Sequence, residues 1–95
     1  MNAKAENKRI VKGDVLVQRL DDELVILNLK DERYFSLDKY GAKFWEAIEE
    51  HEEIEKVQEA LAEKFDVSNE KLTSDLSEFI QQLLSHGLVR EEKTQ

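Results

Sequence analysis

Ninety-five residues, 40% of them apolar, suffice for one modest core and leave little room for a deep pocket. With 22 carboxylates against 14 lysines and arginines the formal charge is −8, which opposes binding to nucleic acid or to an anionic membrane surface, because both depend on protein cations. The chain has no cysteine, no run of about 18 apolar residues and no apolar stretch in residues 1–8, so disulfides, a membrane helix and a signal peptide are not expected, and a cytoplasmic protein is.

Residues 1–12 are polar, mixed in charge and without periodicity; they read as a flexible tail, as do residues 91–95, leaving one domain over 13–90. Residues 14–37 have the pattern of three strands. Val15, Leu16 and Val17 lead to Leu20; Asp21-Asp22 makes a turn; Leu24-Val25-Ile26-Leu27-Asn28-Leu29 is rich in branched residues. Lys30-Asp31-Glu32 makes a second turn before Arg33-Tyr34-Phe35-Ser36-Leu37. Alternation puts Val25, Leu27 and Leu29 on one face, Phe35 and Leu37 together, and Tyr34 on the opposite side.

From Asp38, a good N-cap, the period becomes helical. A first helix to about residue 50 carries Ala42, Phe44, Trp45 and Ile48. A second, over 54–65, carries Ile54, Val57, Leu61 and Phe65. A third opens at Ser68 or Asn69 and reaches His86, and Gly87 supplies its C′ residue. Leu88 and Val89 form a short return segment. The expected fold is α+β: a three-stranded antiparallel sheet followed by three helices, like a winged helix rearranged so that the sheet comes first. The core is expected around Trp45, with Leu27, Phe35, Leu61, Phe65, Phe79 and Leu83 beside it.

Catalytic chemistry is hard to assemble from these residues. His51 lies in a run of glutamates whose spacing matches no metal-ligand motif, and a solvated connector is the simpler reading. His86 follows Ser85, but adjacent helical residues diverge and cannot act as base and nucleophile; at the end of a helix His86 suits the dipole instead. The three glycines are isolated, so no phosphate loop exists. The third helix carries Glu70, Lys71, Asp75 and Glu78 and no arginine, which disfavours DNA. The expectation is a protein that is not an enzyme, needs no cofactor or metal, and contacts neither nucleic acid nor membrane.

Peptide binding fits better. A three-stranded meander leaves strand edges. The apolar stripe of the third helix is also wide: Leu76, Phe79 and Leu83 lie within about 40° of Leu72, whereas Ile80 and Leu84 lie about 80° and about 120° round the wheel. A wide stripe can equally well pack under two neighbouring helices.

The succession Leu27-Asn28-Leu29, Tyr34-Phe35-Ser36-Leu37-Asp38, Gly41, Trp45, Phe65-Asp66-Val67-Ser68, Asp75, Phe79, Leu83 and Gly87-Leu88-Val89 resembles the pyrroloquinoline-quinone synthesis protein D family. These domains are also called precursor-peptide recognition elements. The resemblance covers about residues 14–90, and its order and spacing carry it rather than any single piece. Asp38 stands where the family often has asparagine, and the acidic stretch around His51 is longer than the family loop. The resemblance implies a non-catalytic adaptor that binds the leader of a ribosomally made precursor peptide as an added strand. It then delivers the precursor to a maturation enzyme: a radical enzyme, a leader peptidase or a cyclase. The matching positions are Arg33, Tyr34, Phe35, Ser36 and Leu37 on the strand, and Asp75, Phe79, Ile80, Leu83 and Leu84 on the helix. The alternative is a winged-helix-like regulatory or interaction subunit that binds no leader.

Overall fold

A computed structural model of the protein describes residues 7–94, and the chain-order elements are β1 (Asn7–Lys12), β2 (Val15–Leu20), β3 (Glu23–Asn28), β4 (Arg33–Leu37), α1 (Lys39–His51), α2 (Ile54–Lys64), α3 (Asn69–Ser85) and β5 (Val89–Thr94). The expected meander is present as an antiparallel sheet in the order β2-β3-β4, and the expected α+β class holds. Leu20 opposes Glu23 across the two-residue Asp21-Asp22 turn, where Asp21 takes a left-handed φ of 57°. Short polar side chains tolerate that conformation, so the tight hairpin forms without glycine.

The phase of β3 differs from the alternation expected from sequence. The connection to β4 occupies residues 29–32, with Asn28 opposite Arg33 and Ile26 opposite Phe35. Leu29 therefore belongs to the turn. A loop one residue longer shifts the pairing by one, which turns the whole strand over. Leu24 and Ile26 enter the core, whereas Val25 and Leu27 lie half-buried on the outer face and Leu29 is exposed. Leu27 is thus not a core residue.

Polar and apolar residues cooperate to hold Asn28 inside. Its Nδ2 donates to the His86 carbonyl at 3.0 Å and its Oδ1 accepts from the Lys30 N–H at 2.9 Å, which satisfies a side chain that is only 5% exposed.

The larger departure lies at the ends of the chain. Residues 7–12 and 89–94, expected within or beside flexible tails, pair as an antiparallel two-stranded ribbon, β1 with β5; residues 1–6 lie outside the described residues. Ile10 is fully buried, and Leu88 and Val89 nearly so. The acidic connector after α1 docks the ribbon: the Ile10 N–H donates to the Glu52 carbonyl at 2.8 Å, and Arg9 pairs with the Glu52 carboxylate. Lys12 pairs with Glu49 at 3.1 Å. Hydrogen bonding to Glu52, and then the negative charge there, raises the Arg9 guanidinium pKa above its ordinary value. A strand with alternating charges and few apolar residues gives no periodicity to read. Its stability comes from partners distant in sequence.

Trp45 is fully buried at the centre, with Ile26, Ile48, Val57, Leu61, Leu72, Leu76 and Leu83 also in the core. Phe35, Phe65 and Phe79 are half-buried at its margin. The helix caps follow the sequence. Asp38 accepts from the Gly41 N–H at 2.8 Å and Ser68 from the Lys71 N–H at 3.1 Å. Gly87, with φ of 73°, ends α3: its N–H bonds to the Leu84 carbonyl and the Leu88 N–H to the Leu83 carbonyl, the two bonds of a Schellman motif.

Candidate functional site

β4 hydrogen-bonds to β3 on one side, and among the described residues its other edge pairs with nothing. Its side chains alternate as the sequence implies: Phe35 and Leu37 turn half-buried toward the helices, while Arg33, Tyr34 and Ser36 are exposed. Tyr34, 70% exposed, stands on the outer face of the sheet opposite Leu27. The end of α3 reaches β4 through its C-cap, where the exposed His86 ring sits 4.4 Å from the Phe35 ring, centroid to centroid. The bond from Asn28 to the His86 carbonyl fixes that approach, because it ties the end of α3 to the hairpin that carries β4. Two turns back along the helix, half-buried Phe79 meets the Phe44 ring edge-on at 5.4 Å. Phe44 belongs to an aromatic group with Tyr40 and Phe65. Phe35 and Leu37, with His86 against Phe35, thus place partly uncovered apolar surface on the strand with the unpaired edge, and Phe79 is a further half-buried ring two turns back on α3.

The sequence-selected helix residues divide between two flanks. Asp75 is half-buried one turn before Phe79 on the same side and pairs with Lys71 at 3.2 Å. Leu83 is a core residue, 3% exposed. Ile80, expected to border the groove, is 6% exposed; it lines an open cleft with Lys8, Ile54, Leu76 and Glu91, on the side where β5 packs against α3. Leu84 is half-buried against the core. The wide stripe is therefore explained by the terminal ribbon covering one flank of α3, and the part left uncovered is the Phe79 flank. His86 and Asn28 were not singled out for the site. Asn28 did leave a signal, as one amide within an otherwise apolar strand.

His51 does not gather carboxylates around itself. Its nearest carboxylate, Glu50, is 4.0 Å away, while Glu49 and Glu52 are engaged with Lys12 and Arg9. Among the described residues no three His, Cys, Asp or Glu side chains converge on a point that would hold a metal, and no helix is long and apolar enough to cross a membrane.

A helix-backed meander with an open edge at its last strand defines a small α+β domain of winged-helix-like layout. The model of the family described as coenzyme PQQ synthesis protein D (PqqD) matches residues 23–89, and the chain belongs to that family. Among solved structures it is similar to TbiB1 in complex with the TbiA(beta) leader peptide, at 29% identity and a TM-score of 0.78, over 84% of this chain and 93% of that one. It also shares the fold of a lasso peptide synthetase B1 complexed with the leader peptide, at 17% identity and a TM-score of 0.73, over 87% and 96% of the two chains. No curated protein sequence matches it.

Proposed function

We propose that the protein is a non-catalytic adaptor of the cytoplasm that captures the leader segment of a ribosomally made precursor peptide and presents it to a maturation enzyme. The observation that carries this is the unpaired edge of β4 with its half-buried Phe35 and Leu37, the former in contact with His86 at the end of α3. A leader adding as a strand gains main-chain hydrogen bonds along Arg33–Leu37, and its alternate apolar side chains cover the uncovered rings. The likeness to TbiB1, solved with a leader peptide, supports the same reading. Adaptor function needs no catalytic group here: holding the precursor near the enzyme raises its effective concentration.

The test is a titration of isotopically labelled protein with the leader of the precursor encoded beside its gene, followed by amide shifts. Shifts are expected in residues 33–37 and around Asp75, Phe79 and His86. Shifts confined to the β1–β5 ribbon, or no binding at all, would reject the proposal.

A further inference from the structure

The open edge of β4 offers its backbone at alternate residues only. The Leu29 N–H donates to the Asp14 carbonyl at 3.0 Å, which makes these two a hydrogen-bonded pair of the β2–β3 ladder. Antiparallel strands exchange bonds at every second position, so Leu24, Ile26 and Asn28 turn their backbone groups toward β4, where they meet Leu37, Phe35 and Arg33. The Glu32 N–H, which bonds to the Asn28 carbonyl at 2.7 Å, agrees with that phase. Tyr34 and Ser36 therefore carry the free N–H and C=O groups of the edge. Side chains alternate in step with the backbone. A strand added to Tyr34 and Ser36 sets every second side chain on the helix side of the sheet, level with Arg33, Phe35 and Leu37.

Arg33 differs from its two apolar companions, and it is the only charge on β4. Arg9, Arg19 and Arg90 each hold a carboxylate. Among the described residues Arg33 alone of the four arginines pairs with none, in a chain of 22 carboxylates and 14 lysines and arginines. Asp31, close by in sequence, is turned to the backbone instead: its Oδ1 accepts from the Arg33 N–H at 3.1 Å. The turn beneath is held as well, because Asn28 accepts from the Lys30 N–H through its side chain and from the Glu32 N–H through its carbonyl. A fixed base thus projects an unpaired guanidinium at one end of the open edge. A charge set inward on an edge strand repels chance pairing, since a strand that covers it without an opposite charge leaves it desolvated. A strand that brings a carboxylate to that place escapes the cost and gains a charge-assisted, forked hydrogen bond.

The geometry points to Arg33 as the residue that selects among peptides: the captured leader carries Asp or Glu beside Arg33, two residues from the apolar side chain beside Phe35. This rests on leader capture at β4 and adds the chemistry of one position to it. The net charge of −8 acts on the leader as a whole and favours cations elsewhere in it, so the carboxylate is confined to this position.

Calorimetry of the full chain tests this, using the leader of the precursor encoded beside its gene and variants of that leader with each Asp or Glu replaced singly by Lys. At one acidic position, two residues from an apolar one, Lys should weaken binding about fivefold or more; at the others it should leave binding unchanged or strengthen it. Arg33→Glu should weaken the natural leader by a similar factor and bind the weakened Lys leader better than the wild-type chain does. Arg33→Gln should bind the two leaders alike, with a urea midpoint near that of the wild type, because the side chain it replaces is exposed and unpaired. If Arg33 only guards the edge, Arg33→Gln will bind every leader more tightly than the wild type, whether or not the leader keeps its acid, and the inference fails. It fails too if the natural leader has no acidic residue, or binds Arg33→Glu as well as the wild type; capture at β4 then still stands. A leader that binds no form of the chain removes capture itself, and the role of Arg33 with it.

Discussion

At Trp45 the physics is simple and the test is sharp. The side chain is fully buried, so Trp45→Ala should cost about 3–5 kcal/mol, read as a fall in the urea midpoint. Its indole N–H finds no hydrogen-bond partner among the described residues, so the nitrogen is a cost to stability rather than a gain. Trp45→Phe should consequently cost less than Trp45→Ala, because it removes the unpartnered N–H together with fewer buried carbons and leaves a smaller cavity. Asn28 behaves in the opposite way, since both ends of its amide are used. Asn28→Asp replaces the donor to the His86 carbonyl with a second acceptor at the negative end of α3, and should lower stability by about 1–3 kcal/mol in denaturant unfolding near neutral pH. Phe79 and Ile80 separate binding from folding. Ile80→Glu would bury a carboxylate and should destabilise by about 2–5 kcal/mol, whereas Phe79→Glu should keep a cooperative fold and lose leader binding in calorimetry. A folded Ile80→Glu protein of normal stability would contradict the assignment of that flank to the ribbon side.

At the scale of elements, the terminal ribbon decides what the rest of the fold exposes. β1 brings fully buried Ile10 to the core, and β5 lies against the flank of α3 that carries Ile80. Removing residues 1–12 should therefore lower the thermal midpoint by several degrees and accelerate amide exchange in β5, rather than leave the fold untouched as trimming a tail would. The three-stranded meander was legible from composition and turn residues, and so were the caps Asp38 and Gly87. The face of β3 was not, because Leu24-Val25-Ile26-Leu27 is apolar in both phases. A near-continuous apolar run does not choose its own side. The length of the β3–β4 loop and the bonds of Asn28 choose it.

For the whole molecule, charge sets what it can meet. An acidic chain with Glu70, Asp75 and Glu78 along α3 should show no specific binding to duplex DNA, and a gel-shift series at low salt should find no sub-micromolar complex. The same charge favours leaders carrying lysine or arginine outside the apolar contact positions, an effect that should weaken as salt rises. The apolar edge contacts should persist, so leader affinity should fall with salt but not vanish.

The sequence by itself determined the order of the three meander strands and the three helices, the α+β class, the caps and the family to which residues 23–89 belong. Those properties rest on local periodicity, on capping chemistry and on the spacing of a few residues. Tertiary structure alone decided that the chain ends pair, that Leu24 and Ile26 rather than Leu27 fill the core, and that Ile80 is covered while Phe79 is left half-open. Each of these depends on a partner far away in the chain. Pairing residues 7–12 with 89–94 wins hydrogen bonds and buries Ile10 only after the helices have brought both ends together, and no local window of sequence contains both halves.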